Sequence, residues 1–218
     1  MSNNTRMPEG PLPLFPLEVV LFPNTTLPLH IFEERYKEMI NECIAEDRAF
    51  GVVLSRGNGV LRTGSTATVE QVVQRFEDGR MVIITFGRQR FEILAIQTDR
   101  SFFQAEVQYF EDDDLEPASS QTILLALERF EELARLMEEE TETPEADHPE
   151  LSFQLAQISP DLNFRQTILQ IRSEADRMEQ VCEHLAVLLE RHKVGKEVRK
   201  IARRNGHSKH VPDVTGLD

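Results

Sequence analysis

The sequence predicts an α+β protein: a small, closed or nearly closed β-barrel with one inserted helix, followed by a helical bundle. As far as Phe110, short apolar segments alternate with turn residues, which is typical of short, mostly antiparallel strands. Past Pro117 the apolar residues recur every three or four positions instead, and no glycine occurs between Gly87 and Gly195. The chain of 218 residues, 13 of them phenylalanine, is long enough to bury a sizeable core.

The first 28 residues contain six of the eleven prolines, with apolar residues recurring between them. This pattern indicates extended chain with prolines at strand edges and turns. Short strands are predicted at residues 12–15 and 26–31, around a turn at residues 23–24. From Phe32 to Cys43 the apolar residues fall on one helical face, which predicts a helix of about three turns ending near Asp47.

Five further strands are predicted at residues 50–54, 66–75, 81–86, 91–96 and 102–110, separated by Gly-Asn-Gly, Glu-Asp-Gly and Thr-Asp-Arg turn signals. In the last of them, Phe103, Ala105, Val107 and Tyr109 alternate with polar residues, which predicts one buried and one wet face. Residues 81–86 are apolar on both faces. We therefore expect them to lie centrally in the sheet.

The second half of the chain is predicted to be helical. Residues 123–137 and 178–189 carry apolar stripes at helical spacing, which are more typical of packing surfaces than of cofactor sites. Residues 138–150 between them contain two prolines and no apolar period, so they predict an exposed, mobile loop. Residues 151–158 predict a short helix, and Ser159-Pro160-Asp161 is a start signal for the next one.

The charge of −14 is concentrated in one segment. Residues 111–150 contain 15 acids and two bases, whereas residues 191–209 contain eight bases and one acid. The two segments are either solvated and self-repelling or partners in an intramolecular or head-to-tail contact. Both interpretations stay open at the level of sequence.

Compartment and redox state follow from what the sequence lacks. No stretch has the roughly 18 consecutive apolar residues of a membrane span, and the first ten residues do not form a signal peptide. We therefore expect a cytoplasmic protein that does not enter membranes. Cys43 and Cys182 have no paired spacing, so both are predicted to be free, buried thiols.

No cofactor, metal or catalytic residue is predicted from motifs. Gly195-Lys196-Glu197 lacks the first glycine and the hydroxyl of a phosphate-binding loop. The six histidines form no zinc-ligand spacing. Residues 112–116 begin like a calcium loop, but Pro117 and Ile123 stand where glycine and glutamate are required. No serine lies in a G-x-S-x-G motif.

Residues 12–23, LPLFPLEVVLFP, and residues 27–36, LPLHIFEERY, closely resemble the opening of the Lon N-terminal, or substrate-binding, domain family. Residues 78–80, residues 87–93 (GRQRFEI) and the helical residues 169–189 support the resemblance, which covers roughly residues 10–192. It implies a PUA-like β-barrel subdomain at residues 10–116, a helical bundle subdomain at 117–206 and a tail at 207–218.

In full-length Lon proteases this domain precedes an AAA+ motor and a Ser-Lys protease domain, and it is implied to help capture substrates. Neither of those parts is present in this sequence, so the resemblance implies a standalone, noncatalytic protein of the bacterial type. We expect it to recognise unfolded or tagged polypeptides or to act as an adaptor for a protease. A weak homo-oligomer is compatible with this role.

Polypeptide binding requires exposed apolar surface. One candidate surface is the cleft between the barrel and the bundle. The others are near the proline-rich start of the chain and at the start of the first helix: Phe22, Pro23, Leu29, His30, Phe32 and Tyr36. The alternative for each of these residues is that its side chain packs in the protein core and binds nothing.

A second set belongs to motifs of the resemblance, and its charged members are expected to fix the barrel through ion pairs or hydrogen bonds: Glu33, Arg35, Gly87, Arg88, Arg90 and Phe91. The alternative function is RNA binding through the PUA-like fold and the basic C-terminal segment. The net negative charge opposes nucleic-acid binding.

Overall fold

The computed structural model describes residues 10–57, 59–114, 116–138 and 141–205, with backbone alone at residue 197 and at 199–205. The predicted tail, residues 207–218, lies outside them. The described residues form six strands and five helices in the order β1 Leu12–Leu17, β2 Thr26–Ile31, α1 Glu34–Ala45, β3 Phe50–Arg56, β4 Gly59–Arg75, β5 Met81–Gln97, β6 Gln104–Phe110, α2 Ser120–Met137, α3 Leu151–Ala156, α4 Leu162–Gln170 and α5 Glu174–Asn205. The α+β class predicted from sequence is confirmed.

All six strands belong to one mixed sheet centred on β5. Strand β5 pairs with β2, β4 and β6, as the apolar character of residues 81–86 predicted. The pairings pass from β5 through β4, β3, β1 and β6 back to β5, and β2 lies outside this circuit. All pairs are antiparallel except β1 with β3.

The sequence placed two strand boundaries wrongly, both at interior glycines. The strands predicted at 81–86 and 91–96 are one strand, β5, that continues through Gly87, and β4 begins at Gly59 rather than at residue 66. A Cβ on Gly87 would lie 2.1 Å from the Phe22 carbonyl oxygen, and one on Gly64 would lie 2.4 Å from that of Val52. These glycines allow close backbone approach within a strand and do not end it.

Helix α1 covers one side of the sheet. It begins after Glu33 and places Tyr36, Met39, Ile40 and Cys43 in one buried cluster with residues of β2, β3 and β5. The three-residue and four-residue spacing of these side chains predicted that helix. Both cysteines are buried and free, as expected.

Helices α2 to α5 share a second apolar cluster. Ser119 and Asp161 accept hydrogen bonds from the first-turn N–H groups of α2 and α4, respectively. Phe22, in the segment between β1 and β2, inserts into this cluster and stacks on Phe153 of α3 at a centroid distance of 5.1 Å. The sheet and the helices are therefore joined by shared aromatic packing.

A buried ionic network also joins the sheet to the helices. Asp112 accepts hydrogen bonds from Arg90 of β5 and, at 2.6 Å through both of its oxygens, from Arg177 of α5. Arg90 also donates to the Ile171 carbonyl at 2.6 Å, and Arg177 to Glu174 at 2.7 Å. The exposed fractions of Arg90 and Arg177 are 5% and 1%. Burial by itself raises the pKa of Asp112, but the two guanidinium groups outweigh it and hold that pKa below its usual range.

Candidate functional site

An apolar groove of about 350 Å³ opens where strands β1 and β6 separate. Leu12 and Pro13 of β1 pair with β6, and Leu14 donates its N–H to the Phe103 carbonyl at 2.8 Å. Beyond Leu14, β1 pairs only with β3. The groove is lined by Leu14, Pro16, Arg35, Tyr36, Ser55, Gly57, Gly59, Val60, Ile96 and Phe103.

The backbone of the groove favours contacts to side chains. In an extended strand, residues two apart direct their backbone groups to the same neighbour. Pro16, two residues after Leu14, is therefore the next residue of β1 whose backbone nitrogen faces the same side. Proline has no N–H, so it donates no hydrogen bond there. A bound peptide that paired with β1 as an extra strand would lack one backbone N–H donor at Pro16. The groove is therefore better suited to receiving apolar side chains than to extending the sheet.

Exposed apolar side chains form the rim of the groove. The exposed fractions of Ile96 and Phe103 are 46% and 39%. The alternating pattern of β6 had predicted that Phe103 faces the buried side. That prediction was wrong, because Phe103 precedes β6 at the point where β1 and β6 diverge. Large apolar residues on both sides of the Thr-Asp-Arg turn were the sequence signal for this rim.

Tyr36 and Arg35 provide the polar part of the groove. The ring of Tyr36 packs on Phe15 at 4.2 Å between centroids, and the Arg35 guanidinium lies 4.6 Å above the Tyr36 ring. Arg35 is also paired with Glu33 at 2.7 Å. Burial raises the pKa of the Tyr36 hydroxyl, an effect that Arg35 opposes and Glu33 reinforces. The hydroxyl is therefore neutral at physiological pH.

The six residues predicted to bind polypeptide lie in four different places. Phe22 and Pro23 are buried beside the helices, and Leu29 is half-buried against the α1 side of the sheet. Tyr36 is a buried wall of the groove. Only His30 and Phe32 present exposed rings. The structure does not bring the six together into one surface, and their role in binding stays a prediction.

His30 and Phe32 belong to a small aromatic cluster at the end of β2. The His30 ring lies 5.7 Å from that of Phe32 and 6.4 Å from that of Phe76, and Phe32 is 59% exposed. Arg80 places its guanidinium 5.1 Å from the centre of the Phe76 ring. This aromatic cluster is a second exposed apolar surface.

Among the motif residues, Arg88 pairs with Glu70 at 2.6 Å and lies over the ring of Phe86. Phe91 is buried in a cluster with Leu12 and Leu14. Glu33, Arg35, Gly87 and Arg90 have the contacts described above. Within the described ranges, these charged residues contact the protein's own side chains and backbone.

One serine–histidine pair was not predicted from sequence. Ser159 lies 2.8 Å from Nε2 of His184, whose ring stacks on Phe164 at 3.6 Å. The Ser159 hydroxyl also accepts the Asp161 N–H and is 1% exposed. A buried hydroxyl that is already hydrogen-bonded has no access to a substrate carbonyl, so this pair stabilises the start of α4 and does not form a nucleophilic site.

This pair predicts a pH dependence of stability. Burial lowers the pKa of His184 in the folded protein, Asp161 opposes this effect and Arg191 adds to it. Below about pH 6.5 the unfolded chain then binds the proton more readily, so stability is lost as the pH falls through the folded pKa. We expect the unfolding free energy of the wild type to fall more between pH 7.5 and 5.5 than that of His184→Asn, measured by urea denaturation. Equal decreases would contradict the prediction.

Two negative findings limit the chemistry of the described residues. Among them, no group of three or more His, Cys, Asp or Glu side chains is placed to hold a metal ion. No helix in the same ranges is long and apolar enough to cross a membrane.

Comparison with known proteins gives a consistent result at the level of sequence. Residues 11–187 match the family described as the ATP-dependent protease La (LON) substrate-binding domain. The Lon protease of Paraburkholderia phytofirmans is 30% identical over 146 residues, which cover 62% of this chain and 18% of that protein. The Lon protease 1 of Hydrogenovibrio crunogenus is 25% identical over 128 residues, covering 55% and 16%. The chain thus matches less than a fifth of the length of either relative.

Solved structures agree with this match. A Lon N-terminal domain protein from Xanthomonas campestris superposes with a TM-score of 0.65 at 27% identity, covering 79% of this chain and 96% of that one. The N-terminal domain of a Mycobacterium avium complex Lon protease has a TM-score of 0.60 at 16% identity, covering 81% and 98%, which shows a shared fold. With a family match over residues 11–187 and this structural similarity, the chain belongs to the family of Lon substrate-binding domains.

Proposed function

We propose that this protein is a noncatalytic polypeptide-binding module that holds apolar segments of unfolded or tagged chains, alone or as an adaptor for a protease. The single observation that carries the proposal is the open apolar groove between β1 and β6. Unfolded chains differ from folded ones in offering apolar side chains to solvent, and a groove with an apolar rim selects for that difference. Membership of the Lon substrate-binding family supports this role.

We infer that the circuit of strand pairings is a PUA-like barrel, formed by residues 10–116, and that residues 117–206 form a helical bundle. The closed order of pairings and the shared apolar cluster of α2 to α5 support this division. In this arrangement the groove belongs to the barrel alone. The helices support the barrel through Phe22 and through the Asp112 network.

The groove predicts a specific loss of binding. Ile96→Asp places a charge at the apolar rim, so we expect at least about tenfold weaker binding of a reduced, unfolded client such as casein. Binding is measured by fluorescence anisotropy of the labelled client. Leu94→Asp is the matched control, because Leu94 lies on the same strand, is 56% exposed and does not line the groove.

Equal affinities of Ile96→Asp and Leu94→Asp would contradict the groove as the binding site. Phe32→Asp tests the aromatic cluster in the same assay, and loss of binding in that variant alone would move the site to His30 and Phe32. Hydrogen exchange with and without casein locates the contact independently. We expect protection of the N–H groups around Phe103 and Val60, and protection confined to the helices would contradict the proposal.

A further inference from the structure

The groove between β1 and β6 is apolar along most of its wall and has few polar side chains. Among the described residues that line it, Arg35 is the only charged one, and Tyr36 and Ser55 carry the only side-chain hydroxyl groups. No carboxylate of the same ranges lines the groove. An anionic group that enters it therefore meets one cation and no acid on the wall.

Arg35 keeps hydrogen-bond donors that its ion pair does not use. Glu33 accepts through a single oxygen, Oε2, from Nε of Arg35 at 2.9 Å and from Nη2 at 2.7 Å. A guanidinium group has five N–H donors, and Nη1 of Arg35 has no partner in the part of the chain that the structure describes. Arg35 can therefore bind a second carboxylate without leaving Glu33.

The Arg35–Glu33 pair contributes little to the fold. Its members are two residues apart, with side chains that are 44% and 41% exposed, and exposed pairs of this kind stabilise a protein weakly. An arginine that binds two carboxylates at once also occurs elsewhere in this chain, because Arg100 pairs with both Glu38 and Glu42. A second carboxylate at Arg35 would repeat that arrangement.

Two hydroxyl groups add donors to the same groove. Neither the Tyr36 hydroxyl nor the Ser55 hydroxyl makes a hydrogen bond with another described residue. Because burial raises its pKa, the Tyr36 hydroxyl stays protonated at neutral pH and can donate. The groove thus combines a guanidinium group and neutral donors with the exposed apolar side chains of Ile96 and Phe103.

The C-terminal residue of a polypeptide offers an apolar side chain and a carboxylate from a single Cα. An aspartate or glutamate inside a chain also offers a carboxylate, but the chain then continues on both sides and brings more backbone carbonyls into the groove. Those carbonyls need N–H donors, and Pro16 provides none. The groove therefore suits a chain end better than an internal acidic residue.

We propose that the groove binds the C-terminal residue of its polypeptide client, with the carboxylate on Arg35 and the apolar side chain against Ile96 and Phe103. The proposal rests on the polypeptide-binding function of the groove and names the part of the client that is bound. Chain termini are poorly ordered in most domains. A terminus can therefore reach the groove before the rest of a client unfolds.

Short, N-terminally labelled Gly-Ser peptides that end in phenylalanine test the proposal by fluorescence anisotropy with the full chain. We expect the peptide with a free C-terminal carboxylate to bind at least about tenfold more tightly than the same peptide with a C-terminal amide. A third peptide has Phe-Asp in its middle and an amidated end, and it should bind no more tightly than the amide. The difference between acid and amide should shrink in about 500 mM salt.

Three variants assign the carboxylate to Arg35. Arg35→Gln should bind the acid and the amide equally. Glu33→Gln removes the competing carboxylate, so it should bind the acid about two- to fivefold more tightly than the wild type. Arg80→Gln is the matched control: Arg80 is 45% exposed, pairs with Asp78 two residues before it and lies over a phenylalanine ring, but does not line the groove. It should bind both peptides like the wild type.

The Ile96→Asp variant separates this proposal from the function on which it rests. If acid and amide bound the wild type equally and Ile96→Asp weakened both, the groove would hold apolar segments without reading a carboxylate, and this proposal alone would fail. It would also fail if casein bound but neither terminal peptide did, if the Phe-Asp peptide bound as tightly as the acid, or if Arg35→Gln and Arg80→Gln behaved alike. Casein and peptides that all bind Ile96→Asp like Leu94→Asp would contradict both.

Discussion

Replacing Asp112 with alanine is expected to lower the free energy of unfolding by about 3–5 kcal/mol. The Asp112 carboxylate is the shared acceptor of two buried guanidinium groups, those of Arg90 and Arg177. Without the Asp112 carboxylate, the guanidinium groups of Arg90 and Arg177 stay buried with one negatively charged partner fewer. The measurement is chemical denaturation followed by circular dichroism, at neutral pH.

The neighbouring acid provides the control. Asp113 has a side chain that is 72% exposed, and its ion pair with Arg172 has a distance of 3.6 Å. Exposed pairs of this kind contribute up to about 1 kcal/mol, so Asp113→Ala should unfold close to the wild type. If the two alanine variants lost the same stability, the ionic network would not be what joins the sheet to the helices. Asp112→Asn removes the charge of the side chain and keeps its shape, and we expect it to lower the free energy of unfolding about as much as Asp112→Ala.

The elements of the fold were predictable where hydrophobic periodicity is strong. Strand β2 and the faces of α1 and α2 follow from spacing alone, because burial on one face leaves a repeating pattern. The boundaries at Gly64 and Gly87 were not predictable. A glycine that ends a strand and a glycine that admits another backbone have the same local sequence, and only the tertiary partner distinguishes them.

The candidate site was predictable only in part, for a related reason. Tyr36 was predicted to bind polypeptide and lines the groove, and so does Arg35, which was predicted only to help fix the barrel. Ile96 and Phe103 were not selected, since their exposure arises from the separation of β1 and β6, which depends on pairings between residues about 90 positions apart. Phe22 was selected as a surface residue and is buried, because the helices that cover it lie more than 100 positions later in the chain.

Gly87→Ala is expected to lower the free energy of unfolding by about 3 kcal/mol, at the upper end of the cost of overpacking. The new Cβ would lie 2.1 Å from the Phe22 carbonyl oxygen, a distance that no rotamer can relieve because the neighbour is backbone. Gly87 also exchanges hydrogen bonds with this turn, donating to Thr25 at 2.8 Å and accepting from Asn24 at 2.9 Å. The turn must therefore move away from β5.

Movement of this turn has a consequence beyond the strand, because Phe22 carries its ring into the helical cluster beside Phe153. Gly87→Ala should thus loosen both the β1–β2 turn and the packing of α3, which hydrogen exchange would detect as faster exchange at Phe153 as well as at Asn24. Gly59→Ala is the matched control in a strand, since its nearest contact would be 3.9 Å away. A Gly87→Ala variant as stable as Gly59→Ala would contradict the close approach of the Phe22 carbonyl to β5.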